Sequence, residues 1–236
     1  MQLRSKYDNE LKQISDNLRL MFKHVEMAVE LCSEALLISE AAVAKGVKKE
    51  ERKSDKLETK IEKSCLRLMV MQQPVASDFR LVYAALKMVT DLERIGDQAR
   101  DIAELLVDKN SDPPKCLPEM FGAVKEMVRN VNKAHADRDL ALAGSLDAFD
   151  DKVDGLFDEI ILDIAETVKK TPELAEQIAK YILVAKYLER IGDHAVNLGE
   201  WIQYEITGKN PKRKKSKTVK QVPDENILQD VSEHVQ

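Results

Sequence analysis

The sequence predicts an all-α protein of six helices, arranged as two tandem, pseudo-symmetric three-helix bundles. Three observations carry that expectation. Apolar residues recur at three- and four-residue spacing along most of the 236-residue chain, the period of a helix with one buried face. Only 8 Gly and 7 Pro are present and aromatics make up 5%, too little turn and strand material for a β-sandwich or barrel. Finally, Leu92–Glu93–Arg94–Ile95–Gly96–Asp97 returns letter for letter as Leu188–Glu189–Arg190–Ile191–Gly192–Asp193, the mark of an internal duplication.

The first helix is expected from about Tyr7 to Lys45, on the stripe Leu11, Ile14, Leu18, Met21, Val25, Ala28, Cys32, Ala35 and Ile38, with Gly46 as its break. A second runs from about Lys49 to Gln72 on Leu57, Ile61, Cys65 and Leu68. Gln73-Pro74 closes it, because the residue before a proline is pushed away from the helical region. The third reaches about Val107 on Ala85, Met88, Leu92, Ile95, Ala99, Ile102 and Leu106. Asp112-Pro113-Pro114 then interrupts the pattern and separates the halves. The second half repeats the plan, with helices expected over Leu117–Ala143, Leu146–Val168 and Pro172–Ile206. The division is therefore 1–111, 112–207 and a basic-then-acidic tail, 208–236, expected to be disordered. Its cluster Lys212-Arg213-Lys214-Lys215-Ser216-Lys217 is otherwise suited to an anionic surface or partner.

The chain carries a net charge of −5 although this tail holds an excess of Lys and Arg. The body is correspondingly acidic, which argues against nucleic-acid binding and suits cations. Cys32, Cys65 and Cys116 are odd in number, far apart and without a CxxC pair, as reduced thiols of a cytoplasmic protein would be. The N-terminus lacks an apolar signal region, and no run approaches about 20 apolar residues.

Function is sought in the acids. Glu93/Asp97 and Glu189/Asp193 stand at i, i+4, one turn apart on a helix face. Each copy also carries a glycine that costs a helix about 1 kcal/mol relative to alanine. The preceding helix of each half holds a second pair, Glu51/Asp55 and Asp147/Asp151. At the same offset Glu58 and Glu62 are matched by Asp154 and Asp158. On helical wheels all these acids fall away from the apolar stripes, so surface stripes are expected. Two antiparallel helices of equal rise, turning near residue 75, place Asp55 level with residue 95. A turn near 171 places Asp151 level with residue 191. Four carboxylates converging in each half repel one another unless a cation lies among them. Oxygen-only ligation favours Mg²⁺, Mn²⁺, Ca²⁺ or ferric iron.

Catalysis finds no such support. A di-iron carboxylate enzyme draws on Glu-x-x-His motifs, and none precedes His24, His135, His194 or His234. His194 is either an extra ligand or a helix-surface histidine. No nucleophile elbow, P-loop or HExxH is present, so no catalytic residues are assigned. A carboxylate-bridged metal-dependent enzyme and a purely structural helical protein with solvated acids are the competing readings.

Two three-helix repeats, each with an E/D-xxx-D pair on its second helix and Leu-Glu-Arg-Ile-Gly-Asp on its third, resemble the PhoU family of phosphate-signalling proteins. The segment Gln73-Pro74-Val75-Ala76-Ser77-Asp78-Phe79-Arg80 is similar to that family's first repeat, and the resemblance spans about residues 5–207. It implies a cytoplasmic regulator that represses the phosphate-starvation response by coupling a phosphate ABC transporter, through its ATPase subunit, to a membrane sensor histidine kinase. A homodimer is expected. It further implies metal clusters, of iron or zinc, held by Glu51, Asp55, Glu93 and Asp97 and by Asp147, Asp151, Glu189 and Asp193; manganese and magnesium are also compatible with such ligands. The tail after Gly208 departs from the family pattern, so a PhoU-domain regulator of a different transporter is the alternative within it.

Overall fold

The computed structural model describes residues 2–38, 41–107 and 112–209. Among them are six long α-helices, one 3₁₀ turn and no strand: α1 Gln2–Ala35, α2 Ala41–Gln72, α3 Ala76–Leu106, α4 Leu117–Asp137, α5 Leu140–Lys170 and α6 Ala175–Thr207. The tail from 210 onward, with its basic cluster, lies outside the described residues.

Three boundaries differ from the sequence expectation. The first connection falls at Leu36–Ile38 and not at Gly46, which lies inside α2. A Cβ at Gly46 would stand 3.5 Å from Leu31 Cδ1, so the glycine sits where α2 faces α1. One glycine costs a long packed helix too little to end it. Leu117–Ala143 is not one helix either. Arg138 turns left-handed at φ 54°, and Asp139 Oδ1 accepts hydrogen bonds from the Ala141 and Leu142 N–H groups at 2.9 and 3.0 Å. That is an N-cap, and it starts α5. Pro172 opens a 3₁₀ turn, Pro172–Leu174, ahead of α6. At its other end α6 closes on Gly208 at φ 72°, the left-handed stop that glycine adopts without strain.

Each half packs its three helices against one another, as antiparallel neighbours joined by short links should. The halves also share a seam, with α3 lying along α6 and α1 along α4. Buried side chains from all six helices, among them Met21, Ile61, Leu92, Val124, Ile160 and Leu188, form one continuous apolar core. Both α2 and α5 touch only their own bundle, so each half presents an outer groove, α2–α3 and α5–α6.

Candidate metal centre

In the α2–α3 groove, the apolar stripe of α3 fixes the other faces of the hexapeptide. Leu92 and Ile95 are buried in the core, which turns Glu93 and Asp97 toward α2. The predicted level matching holds to within about one turn, since a Cβ at Gly96, expected opposite residue 54, would stand 4.0 Å from Glu51 Cγ. Exposure is where the wheel reading needs correcting. Glu51 is only 5% exposed, while Asp55, Glu58, Glu93 and Asp97 are half-buried. The acids therefore line a groove instead of standing on an open stripe, because the two helices flank them on both sides.

That crowding shows in their protonation. Burial, then the charge of Asp55, raises the Glu51 carboxyl against the opposing pull of Arg100. Burial and Asp97 raise both Asp55 and Glu93. Glu58, buried beside Glu93, Glu62, Asp55 and Asp97, is pushed up to about 7. Opposing them is Arg100. Its guanidinium bonds Glu51 Oε1, Asp97 Oδ1 at 2.7 Å and Asp101 Oδ1 at 3.1 Å. The second Glu51 oxygen, Oε2, is buried and has no hydrogen-bond partner.

The α5–α6 groove is built on the same plan with other residues foremost. Asp147 and Asp151 stand on the exposed side of α5. It is Asp150, absent from the sequence reading, that is buried, at 5% exposure. A Cβ at Gly192 would lie 3.2 Å from Asp150 Oδ1, so this glycine leaves the room the carboxylate occupies. Neighbouring protein thins the hydration of Asp193, and with Glu189 and Asp154 nearby its carboxyl is raised. Lys186 Nζ reaches Glu189 Oε2 at 2.6 Å. His194 is turned across the seam, with Nδ1 2.8 Å from Asp91 Oδ1.

Two of these residues, Asp150 and Arg100, carry a signal in the sequence. Asp150 falls at helical spacing between Leu146 and Val153, on the apolar stripe, where an acid is conspicuous. Arg100 lies three residues beyond Asp97, the spacing of a helix-face ion pair.

Oxygen donors crowded at low hydration suit a hard cation. Among the described residues, however, no three His, Cys, Asp or Glu side chains close together as a group able to hold a metal ion. A cation would have to draw the acids inward. Side chains available to it are Glu51, Asp55, Glu93 and Asp97 in one groove, and Glu189 and Asp193 in the other, with the expected Asp147 and Asp151 or with Asp150 and Asp154.

A duplicated six-helix bundle with an acid-lined groove in each half defines a two-repeat helical protein. The chain belongs to the PhoU domain family, whose profile matches residues 18–106 and again 117–202. A phosphate-specific transport system accessory protein PhoU homolog from Clostridium acetobutylicum is 34% identical over 208 residues, covering 86% of this chain and 95% of the relative. One of the same description from Deinococcus radiodurans is 31% identical, covering 87% and 99%. Among solved structures, PhoU from Pseudomonas aeruginosa superposes with a TM-score of 0.80 at 28% identity, covering 86% of this chain and all of that one. The phosphate transport system regulatory protein PhoU from Streptococcus pneumoniae, at 22% identity and a TM-score of 0.75, shares the fold.

Proposed function

We propose that this chain is an accessory regulator of phosphate uptake, acting in the cytoplasm as a non-catalytic adaptor. It joins the ATPase subunit of a phosphate ABC transporter to a sensor histidine kinase and so represses the phosphate-starvation response. One observation carries the reading: the relatives described as phosphate-specific transport system accessory proteins match this chain over nearly their whole length. The architecture supports it. No helix among the described residues is long and apolar enough to cross a membrane, so contact with membrane complexes is by docking. The acid-lined grooves, held on paired helices, offer recognition surfaces, and a hard cation neutralises the α5–α6 groove, held by Glu189 and Asp193 together with Asp147 and Asp151 or with Asp150 and Asp154 of α5. A homodimer would present both grooves twice.

The test is affinity capture of the tagged chain from phosphate-replete cells, followed by identification of bound proteins. The adaptor reading expects a phosphate-transporter ATPase subunit and a sensor kinase. Recovery of neither would overturn it, and recovery of another transporter's subunit alone would reassign the partner.

A further inference from the structure

We infer that Arg100 is the built-in cation of the α2–α3 groove, so that the two repeats are unequal and the first takes no metal. This rests on the reading that carboxylates of the α5–α6 groove hold a cation, and it divides that property between the halves.

Arg100 satisfies two of the four carboxylates that a metal in this groove would draw on, one from each helix. Its Nη1 serves both Glu51 and Asp97, and its Nη2 and Nε serve Asp101 at 3.1 and 3.3 Å. A guanidinium offers five donors in a fixed fork and keeps its charge at any physiological pH. It is also tethered, so it competes at an effective concentration that a free ion does not reach. The side chain is only 25% exposed, and burial strengthens each of these charge-assisted bonds.

The duplication supplies the comparison. Where the first repeat reads Gln98-Ala99-Arg100-Asp101, the second reads His194-Ala195-Val196-Asn197. Both the guanidinium and its extra acid are replaced, and Asn197 instead donates to Asp91 across the seam at 3.3 Å. The cation at Glu189, the acid equivalent to Glu93, is Lys186, a largely solvent-facing side chain on the same helix. An ion can displace a solvent-facing lysine far more readily than a guanidinium held by three carboxylates. The first groove nevertheless keeps a latent capacity. Glu51 Oε2 is buried without a partner, and Gly96 leaves space above Glu51.

The experiment uses the full chain, stripped with chelator and titrated with Mn²⁺, reading stoichiometry by calorimetry and metal analysis. Asp97→Asn is expected to leave the stoichiometry of the otherwise unchanged chain as it was. Arg100→Val, which copies the second repeat, is expected to add roughly one Mn²⁺ per chain, and adding Asp97→Asn to Arg100→Val should remove it. Loss of Mn²⁺ on Asp97→Asn alone would overturn the inference. So would an Arg100→Val protein with native helical circular dichroism and no added site. If the unchanged chain binds no Mn²⁺ while Arg100→Val does, cation binding by the α5–α6 groove falls and the role of Arg100 stands.

Discussion

Gly96 and Gly192 hold the same place in an identical hexapeptide, yet a methyl group would meet different surroundings at each. At Gly96 the nearest atom is Glu51 Cγ at 4.0 Å, an ordinary contact. Gly96→Ala should therefore keep the helix-propensity gain and stabilise the protein by up to about 1 kcal/mol. At Gly192 the methyl would stand 3.2 Å from Asp150 Oδ1, 3.6 Å from Met127 Sδ and 3.7 Å from Val153 Cγ1. The buried carboxylate must shift, and overpacking of this kind costs about 1–3 kcal/mol, enough to cancel or outweigh the propensity gain. Urea unfolding of the two variants should place Gly96→Ala above the parent and Gly192→Ala below Gly96→Ala. Equal stabilities would mean that Asp150 does not need the space. Identical letters thus do different work because the residue opposite differs: Glu51 reaches past Gly96 to Arg100, whereas Asp150 stops short against Gly192.

At the scale of helices, the α2–α3 groove links stability to pH through Glu58. An acid whose pKa is higher in the folded than in the unfolded state binds more protons when folded. Stability then falls as pH rises between the two values and stays lowered above the upper one. For Glu58 that window runs from the ordinary 4.5 to about 7, with burial and the charge of Glu93 as the first causes. Glu58→Gln should raise the melting temperature of chelator-treated protein at about pH 8 and change it little near pH 4.5; the reverse order would refute the crowding. The sequence displayed this groove in part. Period and turn chemistry located α2 and α3, the Gln73-Pro74 turn and, to within about a turn, the height at which the acids of α2 face the hexapeptide, all of which depend on local pattern. It did not display the α4–α5 break, because Arg138 adopts a left-handed conformation that its residue type does not favour. Only Asp139, as N-cap, marked the place. Nor could a wheel for a single helix show that Glu51 is covered, since the covering comes from α3 and from Arg100, far along the chain.

Across the whole molecule, the two repeats are legible as separate units in sequence but are joined in space. The seam is apolar where α3 meets α6 and polar at its edges. Arg129 reaches Glu30 at 2.6 Å from α4 to α1, and Asn132 bonds Glu26. His194 and Asn197 hold Asp91. Tyr83 of α3 stands edge-on to Trp201 and Tyr204 of α6, with ring centroids 5.8 Å apart in each pair. Separating the halves would expose the seam-facing part of a core that neither half encloses alone, and a kilocalorie is lost for about every 40 Å² of apolar surface returned to water. The repeats should therefore unfold together. Trp201, the chain's one tryptophan, sits at this seam and reports on it. Its fluorescence and far-ultraviolet circular dichroism, followed through the same urea titration, should give coincident transitions, the signature of one cooperative unit. If the fluorescence changed first while helicity persisted, the halves would be parting before they unfold. That would make the seam a hinge, and the two grooves could then move relative to each other when a partner binds.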